Sequence, residues 1–155
     1  MSGPSTQLYN LDHIDTGKLR IAICVADFNA EITHALRNRA IDGLREHEVL
    51  ESHIEILHVP GAVELPYAAQ LCIRKKKADA VICIGAVIKG ETAHFDYVCQ
   101  SVTQGLQDVT LTEARPVIFG VLTTNTEAEA IARTKPPFDI GYNCAKTAIY
   151  MAGLK

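Results

Sequence analysis

The stretch that most limits the fold is Ala78 to Ile88, ADAVICIGAVI, which runs almost without a polar side chain. A strand with one face in water alternates apolar and polar residues. A continuous apolar run needs cover on both faces, which is the situation of a central strand in a parallel sheet. Parallel neighbours demand long crossovers, and the chain supplies them. Leu19 to Val25 reads as a strand, and residues 30–47 follow with Ile32, Leu36, Ala40 and Leu44 on one helical face. His53 to Val59 reads as a second strand stopped by Pro60-Gly61, and residues 63–77 as a helix ending in Arg74-Lys75-Lys76-Lys77. Cations there suit the negative end of the helix dipole, so the basic quartet reads as helix-end electrostatics before it reads as a nucleic-acid patch. A helix over 93–112, a strand over Pro116 to Leu122 and two closing helices, Thr126 to Arg133 and Asp139 to Leu154, complete the pattern. Pro136 and Pro137 divide those last two. The alternation predicts an α/β fold, a three-layer αβα sandwich built on a four-stranded parallel sheet with right-handed crossovers.

At 155 residues the chain suits one domain. Residues 18–155 read as that domain, and residues 1–17, polar and turn-rich, as an arm that is either loose or held by a neighbour. With 15 Lys and Arg against 18 Asp and Glu, the chain has no broad basic field to offer nucleic acid or an anionic membrane. No apolar run approaches the roughly 20 residues that span a bilayer, and the N-terminus lacks the apolar core of a secretory signal. The five cysteines, at 24, 72, 83, 99 and 144, form no C-x-x-C pair and mostly lie in apolar segments. They read as reduced, buried thiols of a cytoplasmic protein.

In an open parallel sheet, ligands bind beyond the carboxyl ends of the strands. Four segments arrive there: Ala26 to Asn29, Val59 to Glu64, Gly85 to His94, and Leu122 to Asn125. The third is the most informative. Gly90-Glu91-Thr92 lies where a strand gives way to a helix, so its N–H groups point outward at a helix N-terminus, an arrangement that binds phosphate. His94 falls in the first turn, where the positive end of the dipole disfavours a further positive charge and leaves the imidazole able to accept a proton. Locally, Thr92 reads equally as a cap and His94 as a surface residue. Arg133 reads as a phosphate clamp or as a cation closing a helix, and Phe28 as a stacking platform or as core. Other chemistries drop out. No G-x-G, Walker loop or G-x-S-x-G occurs. With no H-E-x-x-H, and His53 and His58 on opposite faces of a strand, no zinc is expected.

Taken together, Phe28-Asn29, Val59-Pro-Gly-Ala-Val-Glu-Leu-Pro66, Gly85 to Val98, and Pro116 to Thr124 with Glu129-Ala-Ile-Ala-Arg133 resemble the 6,7-dimethyl-8-ribityllumazine synthase family of riboflavin biosynthesis. The segments occur in the family's order and cover about residues 18 to 154. The resemblance implies a flavodoxin-like fold and a cofactor-free transferase. It would condense 5-amino-6-(ribitylamino)uracil with 3,4-dihydroxy-2-butanone 4-phosphate. It assigns Phe28, with Asn29 beside it, to the pyrimidine ring, and Gly61, Ala62 and Glu64 to the ribityl chain. The backbone of Ala86, Val87 and Ile88 would meet the pyrimidine edge. Glu91 and Thr92 would hold phosphate through their amides with help from Arg133, and His94 would shuttle protons. Phe119 would come from a neighbouring subunit. It also implies a homo-pentamer, allows decamers and sixty-chain shells, and admits riboflavin synthase as a partner. The family's Asn-Lys-Gly falls, without gaps, on Ile140-Gly141-Tyr142, so its lysine is expected to be missing at Gly141, with Lys135 as a substitute. That gap leaves open a catalytically weak member that binds flavin or lumazine or only builds a shell. FMN carriage, which shares the fold class alone, is a further reading.

Overall fold

Large aliphatic residues alternate with small ones along the central strands, and that alternation decides which helices pack on which face. The computed structural model describes residues 9–154. The strands are β1 (Ile21–Ala26), β2 (Ile54–Val59), β3 (Ala80–Ile88) and β4 (Val117–Thr124), all parallel in the order β2-β1-β3-β4. The helices are α1 (Ala30–Glu46), α2 (Leu65–Lys76), α3 (His94–Glu113), α4 (Glu127–Ala132) and α5 (Ile140–Ala152). The expected parallel α/β sandwich is what forms, with the flavodoxin-like arrangement of helices on both faces.

On one face Ile21, Ile23 and Val25 of β1 and Ile82 and Ile84 of β3 meet Leu36, Ala40 and Leu44 of α1 and Ala145, Ala148 and Ile149 of α5. On the other, Ala22, Cys24 and Cys83 meet Leu65, Ala69 and Cys72 of α2 and Val102 and Leu106 of α3. Small side chains on that second face let α2 and α3 come close. Cys24, Cys72, Cys83 and Cys144 are buried free thiols and Cys99 is half-buried, so the thiols act mainly as packing.

Differences from the sequence expectation sit at element ends. α2 begins at Leu65 because Ala62–Glu64 first make a 3₁₀ turn, and Pro66 then enters where no donor is needed. Arg74, Lys75 and Lys76 stand in the last turn of α2 and Lys77 Nζ donates to Arg74 O at 3.2 Å, while Arg74 Nε also donates to Glu113 Oε1 at 2.7 Å and Lys76 lies 3.6 Å from Glu55. β4 runs on to Thr124 because its pairing with β3 continues to Ile88.

Of the proposed arm, residues 1–8 lie outside the described residues. The rest lies on its own chain. Tyr9 packs against Tyr150 with centroids 4.5 Å apart, and Leu11 and Ile14 pack on the α1–α5 core. Among the described residues, no helix is long and apolar enough to cross a membrane.

Candidate functional site

The strand order reverses between β1 and β3, and there the sheet opens. β3 pairs with β1 only as far as Ile84 opposite Val25, yet with β4 as far as Ile88 opposite Thr124. Gly85 to Ile88 therefore borders a crevice at the carboxyl edge, where an open α/β sheet accepts ligands. The crevice holds a cavity of about 420 Å³, room for a drug-sized molecule.

Three segments build its wall. Phe28 stands just past β1, 72% exposed despite its aromatic ring, and it lines the cavity. The core reading of Phe28 is thereby excluded. Its backbone is fixed to the β2 loop, Phe28 N donating to Pro60 O at 3.0 Å. The second segment is the turn after β2. Gly61 N donates to Glu64 Oε2 at 3.1 Å and Glu64 N to Gly61 O at 3.2 Å. This closes the turn, aims Ala62 and Glu64 at the cavity, and leaves the other oxygen of Glu64 available. The third is Ala86 to Ile88 with Gly90, Thr92 and His94.

Asn29 supports this wall from behind. It adopts a left-handed backbone, φ 61°, and its Nδ2 donates to Ala86 O at 2.8 Å. Asparagine tolerates that conformation better than other residues with a Cβ. Asn29 thereby ties the end of β1 to that of β3.

At the start of α3 the backbone leaves donors facing outward. Thr92 is not the N-cap, which is Ala93, but its Oγ1 accepts from His94 N at 3.3 Å. Among the described residues, the backbone N–H groups of Glu91 and Thr92 meet no acceptor. A Cβ at Gly90 would find nothing within 4 Å and φ there is not positive. Neither packing nor backbone strain requires glycine at that point; the space opens into the cavity. The ring of exposed His94 is likewise unpartnered among the described residues.

Three expected residues stand away from the cavity. Phe119 is 44% exposed on β4. Arg133 Nη1 donates to Glu129 O at 2.9 Å and its guanidinium lies 4.5 Å from the Phe138 ring centre, so within one chain it closes α4 as a helix-end cation. Exposed Lys135 makes no ion pair among the described residues.

At Gly141, where the family's lysine is expected to be missing, packing decides the residue. Gly141 is buried in the first turn of α5, and a Cβ there would lie 2.1 Å from Leu36 O. No lysine could occupy it. Sequence reasoning gave no role to Phe95 and Val98, which also face the cavity; at helical spacing they look like core.

The model of the 6,7-dimethyl-8-ribityllumazine synthase family matches residues 18–155. The chain is also 46% identical over 149 residues to the 6,7-dimethyl-8-ribityllumazine synthase of Porphyromonas gingivalis, covering 95% of this chain and 92% of that one.

Proposed function

Because this chain belongs to the 6,7-dimethyl-8-ribityllumazine synthase family, we propose that the crevice between β1 and β3 is where its residues carry out that reaction. The enzyme condenses 5-amino-6-(ribitylamino)uracil with 3,4-dihydroxy-2-butanone 4-phosphate, forming the lumazine and releasing phosphate and water. Phe28, Glu64, Gly90 and His94 on a single cavity carry this assignment of the site.

Phe28 stacks on the pyrimidine. The backbone at Val87 and Ile88 meets its edge, since the Ala86 carbonyl already accepts from Asn29. Gly61 and Ala62 give the ribityl chain room, and the free oxygen of Glu64 accepts from its hydroxyls. The phosphate rests on the N–H groups of Glu91 and Thr92, beside the vacancy at Gly90. His94 then lies next to the phosphate-bearing substrate. It moves protons as the uracil amine adds to the ketone and water leaves, as phosphate is eliminated, and as the ring closes. Most of the acceleration comes from holding two substrates together, with His94 adding acid–base help.

The working form is a homo-oligomer, a pentamer or a multiple of it. Phe119 and Arg133 support this reading: both belong to the family's site, and neither lines the cavity of its own chain. Each completes the crevice of a neighbouring subunit, Arg133 by exchanging the Glu129 carbonyl for phosphate and Lys135 by adding charge. The test is a steady-state assay with both substrates, following lumazine absorbance and released phosphate in parallel. Equal amounts of the two products, with kcat lowered about a hundredfold in His94→Ala and some turnover left, are expected. Ribityl-pyrimidine or flavin binding without turnover would move the assignment to a binding protein.

A further inference from the structure

A separate cluster of functional groups lies on the other side of β1, towards β2. Asp27 directly follows β1, and its N–H donates to Val59 O at 2.8 Å, which fixes its backbone beside β2. His58 stands in β2 opposite Val25, and His34 lies near the start of α1. One carboxylate oxygen serves both rings: Asp27 Oδ1 accepts from His34 Nε2 at 2.9 Å and from His58 Nδ1 at 2.7 Å. The rings meet edge to face, centroids 5.3 Å apart. Their hydrogen bonds hold the Asp27 carboxyl below its usual range, so it is ionised at neutral pH.

We propose that Asp27, His34 and His58 form a site for a divalent transition-metal ion, Zn²⁺ foremost. Two imidazoles and a carboxylate are a donor set that zinc uses with a position left open. The three ligand atoms, one from each side chain, lie within 4.8 Å of one another. Zinc bonds of about 2.0–2.2 Å in a tetrahedron set ligand atoms about 3.4 Å apart. Each ring nitrogen thus draws back from Asp27 Oδ1 by about 0.5–0.7 Å as the N–H···O bonds give way to metal bonds. All three are partly exposed, giving the ion a way in and room for water at the open position.

Coordination changes tautomers without changing charge. The ligating nitrogen of each ring gives up its proton, and the other nitrogen takes one. For His58 that other nitrogen, Nε2, lies 3.3 Å from Arg37 Nη1, a group that can only donate. Arg37 opposes the ion twice, by its charge and by requiring Nε2 to accept. It is half-buried on α1, where its Nε also donates to Asn38 Oδ1 at 3.2 Å.

Titration calorimetry of Zn²⁺ into the full-length protein tests the site. One ion per chain is expected, with affinity weakened at least about tenfold in His34→Gln and in His58→Gln, since losing even outer-shell partners costs that much. Arg37→Gln is expected to strengthen binding, and weakening there would count against the assignment. In the unaltered protein, imidazole nitrogen resonances of His34 and His58 should move with Zn²⁺ while those of the other histidines stay. No binding, binding indifferent to both histidine substitutions, or shifts confined to other histidines overturns the proposal. The resonance measurement needs no variant and holds even where a substitution disturbs folding.

Discussion

Gly90 and Gly141 are glycines for opposite reasons. Around Gly141 the molecule is full: α1 comes so close that a single added carbon would meet Leu36 O at 2.1 Å. Around Gly90 it is empty, with no atom within 4 Å of the same added carbon. One glycine lets two helices touch and so belongs to stability. The other leaves the cavity rim bare. The α5 flank is held further by Arg39, whose Nε and Nη2 grip both oxygens of Asp139 at 2.9 and 2.6 Å. Among the described residues, nothing comparable grips the loop from Gly90 to Ala93. A filled region and a vacated one thus lie at the same edge of one sheet, and a sequence motif draws no line between them.

The strongest attack on this contrast is Gly141→Lys. Overpacking against the α1 backbone should cost about 3 kcal/mol or more, read as a large fall in the urea midpoint or as loss of soluble protein. A stable variant would show that α1 and α5 can separate. Next in size is a mixing experiment. His94→Ala and Arg133→Ala should each lose about a hundredfold in turnover or in use of the phosphorylated substrate. If each site draws on two chains, co-refolded mixtures recover activity that neither variant shows alone. No recovery would place Arg133 with its own chain's cavity. Smaller is Gly90→Val, expected to keep its urea midpoint while raising the Michaelis constant for the phosphorylated substrate about tenfold, the loss of one charge-assisted contact. A shifted midpoint would make Gly90 a packing residue after all.

The smallest effect comes from the filled side. Burial pushes the Cys144 thiol up to about 12 from an ordinary 9.0. Its unfolded form therefore ionises first, and the stability it contributes is complete below pH 9. That contribution falls as pH rises from 9 towards 12, by about 1 kcal/mol at pH 10. Urea midpoints measured from pH 8 to 10.5 should fall less steeply in Cys144→Ala.

Much of this was readable beforehand where one physical pattern decided one outcome. Ile32, Leu36, Ala40 and Leu44 share a face because a helix repeats every 3.6 residues, and all four are buried. Val59 to Glu64 and Gly85 to His94 mark the cavity because their turns are local. What escaped depends on contacts between elements. Along its strand His58 has only His53 for comparison, whereas its companions in space, His34 and Asp27, arrive from other elements. Arg133 follows the family pattern, yet its guanidinium turns to Phe138 and Glu129, which local spacing does not specify. At Gly141 a linear comparison says nothing of Leu36, whose carbonyl leaves no room for a side chain.

The tie from Asn29 to the Ala86 carbonyl has a kinetic consequence. It joins positions 57 residues apart in the chain, so the crevice acquires its width when the polypeptide folds. A ligand entering between β1 and β3 meets a span already set, with no movement of the two strand ends to wait for. Association should then follow a single exponential whose rate rises linearly with ligand concentration, and cutting the tie in Asn29→Ala should introduce a slower, saturating phase.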